Sequence, residues 1–190
     1  MSKMALDHNA INLSQGYPDF ECPERLRALV AKHLYDGKNQ YPPMAGIPLL
    51  RQEIANKVKR HYQFDADAET EITVTSGATE AIFDAAQASV GQGDEVIVFD
   101  PAYDSYEPAI SLAGARAVHL SLELPDYHID WNRVEDAITE KTRLIIINTP
   151  NNPCGSLLDR DDMDELAALI RDKDILVLSD EVYEHMVYDG

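Results

Sequence analysis

The chain is 190 residues long and 45% of its residues are apolar, which suits one globular domain or a domain with part of a second. Its 16 Lys and Arg residues against 34 Asp and Glu residues give a formal net charge of −18. This charge excludes non-specific binding to nucleic acid and to anionic lipid, because both require a basic surface.

Two amphipathic helices are predicted in the first third of the chain. Apolar residues recur at helical spacing through Glu24–Asp36, which follows a proline and precedes a glycine. The same spacing recurs through Ile47–Tyr62. Irregular chain is predicted before Glu24.

From Glu71 onward, short apolar strands alternate with helices. The predicted strands are Ile72–Thr75, Glu95–Phe99, Ala117–Leu122, Leu144–Asn148 and Ile175–Ser179. The helices predicted between them are Thr79–Val90, Tyr103–Ala113, Trp131–Thr139 and Arg160–Arg171. This alternation predicts an α/β fold with a mostly parallel sheet and helices on both faces. The continuous apolar runs Leu144–Ile147 and Ile175–Leu178 indicate strands that are buried on both sides.

Several other classes of protein are excluded by the same sequence. Cys22 and Cys154 are too few and too far apart for a disulfide framework or a zinc site, so no metal is expected. The N-terminal residues lack the apolar core of a signal peptide, and no apolar run is long enough to cross a membrane. A cytoplasmic protein that binds neither nucleic acid nor membrane is therefore predicted.

Unusual residues follow several of the predicted strands, at the edge of a parallel sheet where ligands bind. Ser76-Gly77-Ala78-Thr79-Glu80 opens a helix, and its small residues leave backbone amides free for a phosphate. Taken alone, that segment is better explained by a plain N-cap. After the next strand, Tyr103 could lie flat on a planar ligand, whereas Tyr106 is expected to pack in the core.

Two further loops complete this edge. The segment Asn148–Gly155 contains two prolines and a glycine, which restrict its backbone and could aim the Asn152 amide at a ligand oxygen. Asp180 directly follows a predicted buried strand, where a carboxylate needs a partner such as a protonated ring nitrogen; a role as a helix N-cap fits it about equally well. Tyr183 follows and could reach a phenolic oxygen. Together, the four loops predict a site for a flat phosphorylated pyridine.

The segments that carry these residues resemble the fold-type-I pyridoxal-phosphate enzymes of aminotransferase class I/II. Within that family, the bacterial methionine aminotransferases, relatives of kynurenine–oxoglutarate transaminase, are the most similar branch. The matching segments occur in the family's order at residues 11–20, 39–41, 73–81, 99–106, 148–155 and 179–184. The resemblance implies a transaminase that uses pyridoxal 5'-phosphate to move an amino group from an apolar or sulfur-containing amino acid, such as methionine, to a 2-oxo acid.

The resemblance also implies how the cofactor's phosphate and ring face are held. Ala78 and Thr79 would bind the phosphate, and Gly77 would shape the turn before them. Tyr103 would stack on the pyridine ring. Tyr41 would reach the phosphate of a neighbouring subunit, which implies a homodimer.

The remaining implied roles concern the edge of the ring and the substrate. Asn152 and Tyr183 would hydrogen-bond the phenolic oxygen of the cofactor, and Asp180 would pair with the ring nitrogen. The substrate would lie near the backbone of Gln15, Gly16 and Tyr17.

The resemblance implies a division of the chain as well. Residues 1–40 are expected to form an N-terminal segment and part of a small domain, and residues 41–190 the first part of the cofactor-binding large domain. The lysine that forms the Schiff base is expected beyond Gly190, so this chain alone would carry no catalytic residue and would be inactive. Cys154 stands where the family usually has Thr or Ser.

Two other functions fit the same residues. A pyridoxal-phosphate-dependent carbon–sulfur β-lyase would use the same half of the site, because the residues that distinguish it from a transaminase lie in the other half. A non-catalytic module without the lysine could bind a phosphorylated ligand or a protein partner.

Overall fold

The computed structural model describes residues 2–12, 16, 18 and 20–188, and the chain forms two compact units, Met1–Ile47 and Pro48–Gly190. The first unit contains helix α1, Ser2–Asp7, and helix α2, Glu24–Tyr35. Helix α1 lies where irregular chain is predicted; it has only six residues and buries none of them, so no apolar period marks it. In the part of the chain that the structure describes, no helix has the length and apolar character needed to span a membrane.

The second unit is an α/β layer structure. Its elements in chain order are α3 (Pro48–Tyr62), α4 (Ala78–Ser89), β1 (Glu95–Asp100), α5 (Tyr106–Leu112), β2 (Arg116–Ser121), α6 (Trp131–Ala137), β3 (Thr142–Asn148), α7 (Arg160–Ile170) and β4 (Leu176–Asp180). The four strands are ordered β2-β1-β3-β4, and every neighbouring pair is parallel. The predicted α/β class and parallel sheet are confirmed.

The two faces of the sheet support separate apolar cores. Alternate residues of a strand point to opposite faces, so Val96 and Val98 of β1 enter one core while Ile97 and Phe99 enter the other. The first core is completed by residues of α4 and α5, including Ile82, Ala86, Ala109 and Ile110. The second is completed by residues of α6 and α7, including Val134 and Leu166. Helices therefore cover both faces, as predicted.

One of the predicted strands is wrong, and the predicted burial of another is wrong. Ile72–Thr75 is not a strand, because among the described residues it has no strand partner with which to form a hydrogen-bonded ladder. The strand predicted at Ile175–Ser179 exists as β4, but it forms an edge of the sheet and is not buried on both sides. Leu176 is 57% exposed and Val177 is 36% exposed.

Helix α5 begins three residues later than predicted. The prediction placed Tyr103 in its first turn, whereas the helix runs from Tyr106 to Leu112. In a helix that began at Tyr103, residue 108 would have to donate its amide to the Asp104 carbonyl, and proline has no amide hydrogen. With the start at Tyr106, Pro108 lies in the first turn, where no intrahelical donor is required. Tyr103 therefore lies in the loop between β1 and α5.

Candidate functional site

The candidate site lies where the strands of the sheet end. Strands β3 and β4 end at Asn148 and Asp180, which are partners in the register of the sheet, and neighbouring β1 ends at Asp100. Because the strands are parallel, the segments that follow them emerge at the same edge. The N-terminus of α4 is connected to this edge by the contact of Thr79 described below.

The N-terminus of α4 presents free backbone amides. Gly77 precedes the helix with a φ of 86°, a region that side chains disfavour, and no side chain caps the helix. Among the described residues, the amides of Ala78 and Thr79 have no acceptor. The Glu80 carboxylate accepts from the amide of Ser76 instead and adds a negative charge to this turn. An anion here would be held by the amides, the helix dipole and the Thr79 hydroxyl. The plain N-cap considered for this segment does not form.

Tyr103 connects this helix end to the sheet. Its hydroxyl oxygen lies 3.2 Å from the Oγ1 of Thr79. Its ring meets that of Tyr106 edge-on, with the ring centres 5.8 Å apart and the planes at 80°. The Tyr103 side chain is therefore held between the N-terminus of α4 and Tyr106 of α5.

Asp180 is buried at the end of β4 with uncharged partners. Its Oδ2 accepts from the hydroxyl of Tyr106 at 2.7 Å, and its Oδ1 accepts from the amide of Val182 at 3.2 Å. Burial first, and then the hydrogen bond to Asp180, raises the pKa of Tyr106 far above its usual value, so the tyrosine remains a donor. Among the described residues, no basic side chain forms an ion pair with Asp180. Each carboxylate oxygen can accept a second hydrogen bond, so a cationic donor can still be accommodated.

The segment after β3 carries a side-chain amide that makes no hydrogen bond among the described residues. The side chain of Asn152 has no hydrogen-bond partner among the residues described, while its backbone amide donates to Asn148 Oδ1 at 2.6 Å. Asn148 in turn donates from Nδ2 to the backbone oxygen of Asp180 at 2.9 Å. The Asn152 side chain is therefore available to a ligand, and its backbone is connected to β4.

Tyr183 lies in the turn that follows β4. Its side chain is 37% exposed. The neighbouring Glu184 forms an ion pair with Lys57 of α3 and accepts from the hydroxyl of Tyr62. The hydrogen bond from Lys57 lowers the pKa of the Glu184 carboxyl, so this pair remains charged and fastens the turn to α3.

Cys154 is half-buried in the segment after β3, and its amide donates to the side chain of Asn151 at 3.1 Å. Burial raises the pKa of its thiol, so the thiol stays protonated and unreactive at neutral pH.

Other residues proposed from the sequence lie in the first unit or outside the described part. Tyr41 and Gly16 both lie in Met1–Ile47; Tyr41 is fully exposed and Gly16 is exposed. Gln15 and Tyr17 lie outside the described residues.

Two residues of the site were missed by the sequence prediction. Tyr106 packs in the core as predicted, with 3% of its surface exposed, but its hydroxyl also holds the Asp180 carboxylate. Asn148 was predicted as the end of a strand and the start of the segment Asn148–Gly155, with no role of its own in the site. Neither contact has a local sequence signal, since the partners lie 74 and 32 residues away along the chain.

A family model described as aminotransferase class I and II matches residues 8–190 of the chain. The chain belongs to the class I and II aminotransferases. Methionine aminotransferase of Escherichia coli strain K12 is 48% identical to it over 186 residues, which cover 98% of this chain and 48% of that protein. The probable N-succinyldiaminopimelate aminotransferase of Mycobacterium tuberculosis is 41% identical over 192 residues, covering 100% of this chain and 48% of the relative. Kynurenine–oxoglutarate transaminase 3 of Homo sapiens is 36% identical, with coverages of 100% and 44%.

Solved aminotransferase structures share this fold. The crystal structure of YbdL from Escherichia coli, which identified a methionine aminotransferase function, matches with a TM-score of 0.93 over 97% of this chain and 49% of that one. N-Succinyldiaminopimelate aminotransferase from Mycobacterium tuberculosis matches with a TM-score of 0.96 at 40% identity, over 100% of this chain and 50% of that one. The fold is that of the fold-type-I aminotransferases, and the chain spans about half the length of the curated relatives it matches.

Proposed function

We propose that this chain supplies the cofactor-binding edge of a pyridoxal 5'-phosphate-dependent transaminase. The observation that carries the proposal is the convergence at one edge of free helix amides, an aromatic ring, an unused amide and a buried acid. These groups belong to Thr79, Tyr103, Asn152 and Asp180. Membership of the class I and II aminotransferases supports the same function.

The donors and acceptors of the site fit each part of this cofactor. The amides of Ala78 and Thr79 would hold a phosphate at the positive end of α4. Tyr103 would lie against the ring, and Asn152 with Tyr183 would donate to the phenolic oxygen. When bound, the cofactor supplies an electron sink for the reacting substrate.

Asp180 has a specific task in this proposal. Its buried carboxylate would hold a proton on the ring nitrogen, because a charged acid inside the protein stabilises a cation beside it. Tyr106 and the Val182 amide fix the direction in which that carboxylate points. The charge of Asp180 therefore matters more than its volume.

The remaining assignments concern residues of the first unit, two of which lie outside the described residues. We propose that Gln15, Gly16 and Tyr17 lie near the substrate and that Tyr41 reaches the cofactor phosphate of a second subunit in a homodimer. The proposed substrates are an apolar or sulfur-containing amino acid and a 2-oxo acid. Similarity to the methionine aminotransferase of Escherichia coli supports this choice.

The test of the proposed function is Asp180→Asn, which removes the charge and retains an acceptor for Tyr106. We expect transamination of methionine by the encoded protein to fall by about 10²-fold or more, since one preorganised electrostatic contact contributes that much to a rate. Asp104→Asn, at an exposed carboxylate in the loop after β1, is the matched control. Absorbance titration with pyridoxal 5'-phosphate shows whether the cofactor still binds. Unchanged turnover in Asp180→Asn would remove Asp180 from the site.

A substrate panel tests the second part of the proposal. Methionine is expected to give a higher kcat/KM than aspartate, kynurenine or N-succinyldiaminopimelate with the same 2-oxo acid. A preference for one of the other three by ten-fold or about 1.4 kcal/mol would overturn the methionine assignment.

A further inference from the structure

Asn148 joins the two strand ends that carry the proposed ring contacts. It is the last residue of β3 and is paired in register with Asp180, the last residue of β4. Its Nδ2 donates to the backbone oxygen of Asp180 at 2.9 Å, and its Oδ1 accepts from the backbone amide of Asn152 at 2.6 Å. One half-buried side chain therefore connects the backbone of Asp180 to that of Asn152.

The chemistry of these two partners requires an amide. The carbonyl of Asp180 can only accept and the backbone amide of Asn152 can only donate, so the partners decide which end of the Asn148 side chain faces each of them. An aspartate of the same shape would keep the acceptor for Asn152. It would also place an oxygen against the Asp180 carbonyl, where two acceptors repel each other.

Pairing between the strands does not replace this connection. The amide of Thr149 also donates to the Asp180 oxygen, at 3.2 Å, but it holds only the start of the segment that leads to Asn152. Three residues lie between Asn148 and Asn152, and the chain returns to the Asn148 side chain at the backbone amide of Asn152. Among the described residues, the Asn148 side chain is the group that hydrogen-bonds both the backbone of Asn152 and the end of β4.

We infer that Asn148 is a positioning residue that sets the spacing between Asp180 and Asn152, and therefore the position of the cofactor's pyridine ring. This inference rests on the proposed function, in which Asp180 meets the ring nitrogen and Asn152 meets the phenolic oxygen. These two contacts lie on one rigid ring, so their separation has to match the ring's own dimensions. A change in the separation would tilt the ring, and small displacements of a reacting group reduce turnover steeply.

The experiment compares Asn148→Asp with Asn151→Asp in the encoded protein. Asn151 lies in the same segment and is also half-buried; its side-chain oxygen accepts from the Cys154 amide, an acceptor role that aspartate retains. For Asn148→Asp we expect kcat to fall between about ten- and a hundred-fold, with KM for the amino acid changed much less. The Kd for pyridoxal 5'-phosphate should rise, and the visible absorption band of the bound cofactor should shift. Asn151→Asp should leave all four quantities near those of the parent.

Several outcomes would overturn the inference. An Asn148→Asp protein with the band, Kd and kcat of Asn151→Asp would show that Asn148 sets no spacing. If Asn148→Asp does not fold, Asn148→Ser is measured in the same way; a normal band and kcat in the folded Asn148→Ser protein, with only a lower unfolding temperature, would reduce Asn148 to a structural role. Thr79→Ala and Asp180→Asn identify a different failure: if neither alters cofactor binding or turnover, the proposed function itself is wrong.

Discussion

Replacing Tyr106 with phenylalanine removes one hydroxyl group from the centre of the site and keeps the ring in the core. Tyr106 is 3% exposed, and its hydroxyl donates to the buried Asp180 carboxylate at 2.7 Å. A hydrogen bond to a charged group contributes about 1.5–3 kcal/mol, and its loss leaves a buried acceptor without that donor. We therefore expect the free energy of unfolding of the cofactor-free protein to fall by about 1.5–3 kcal/mol in Tyr106→Phe.

Urea unfolding followed by circular dichroism measures this difference, with Tyr127→Phe as the matched control. Tyr127 is half-buried, and among the described residues its hydroxyl has no hydrogen-bond partner. Its replacement is expected to change the free energy of unfolding by no more than about 0.5 kcal/mol. A Tyr106→Phe protein as stable as Tyr127→Phe would refute a stabilising bond between Tyr106 and Asp180.

The hydrogen bond between Tyr106 and Asp180 should also affect how stability depends on alkaline pH. The pKa of Tyr106 is raised above its ordinary value of 10.0, mainly by burial and then by the hydrogen bond to Asp180. As the pH rises, the tyrosine is therefore deprotonated in the unfolded chain at a lower pH than in the folded protein. The contribution of the Tyr106–Asp180 hydrogen bond to the free energy of unfolding is complete below about pH 10 and declines as the pH rises further. The stability difference between the parent and Tyr106→Phe should therefore be constant up to about pH 10 and shrink above it. A difference that grows between pH 10 and 11 would contradict this assignment.

Two further changes test local features of the same edge. Gly77→Ala should lower the free energy of unfolding by about 1–2 kcal/mol, because φ at Gly77 is 86°, and should weaken binding of pyridoxal 5'-phosphate. Gly91→Ala is its control, and equal effects at both positions in urea unfolding would refute the role of φ. Hydrogen bonds to Asp100 and then to Glu107 raise the pKa of His119 above its ordinary value of 6.5. The stability that the charged His119 ring contributes is therefore present below about pH 6.5 and is lost as the pH rises through the raised pKa. The stability lost in His119→Gln should be larger at pH 5.5 than at pH 9, and equal losses would show that the ring's charge does not contribute.

The centre of the sheet could be predicted from the sequence because its strands are buried on both faces. Four residues of β1 and β3 are at most 1% exposed: Val96, Val98, Ile145 and Ile147. A strand that contributes side chains to the cores on both faces of the sheet has to be apolar along its length. Strands β1 and β3 lie within two residues of their predicted bounds. A strand that is buried on both faces is a continuous apolar run, and this run can be recognised without knowing which strands lie beside it.

Which apolar runs pair into the sheet, and which of the strands lie open to solvent at its edge, could not be predicted in this way. The runs Ile72–Thr75 and Ile175–Leu178 are also apolar, yet the first does not pair with a strand among the described residues and the second is half open to solvent. Whether an apolar run becomes a central strand, an edge strand or an unpaired segment depends on partners far away in the chain. That information is absent from the local pattern.

The same limit separates the site residues that were predicted from those that were not. Asn152 and Asp180 were proposed because they lie at or after the ends of strands, which the structure has as β3 and β4, and ligands gather at that edge of a sheet. Thr79 was proposed by the same rule, although the run predicted as a strand before it, Ile72–Thr75, is not a strand among the described residues. Tyr106 and Asn148 have side chains that face protein groups, and their hydrogen bonds aim Asp180 and hold the backbone of Asn152. A sequence motif can indicate ligand-binding residues, because the chemistry of their side chains has to match the ligand. Residues that position a ligand-binding residue have to match only that residue, so the folded structure is needed to find them.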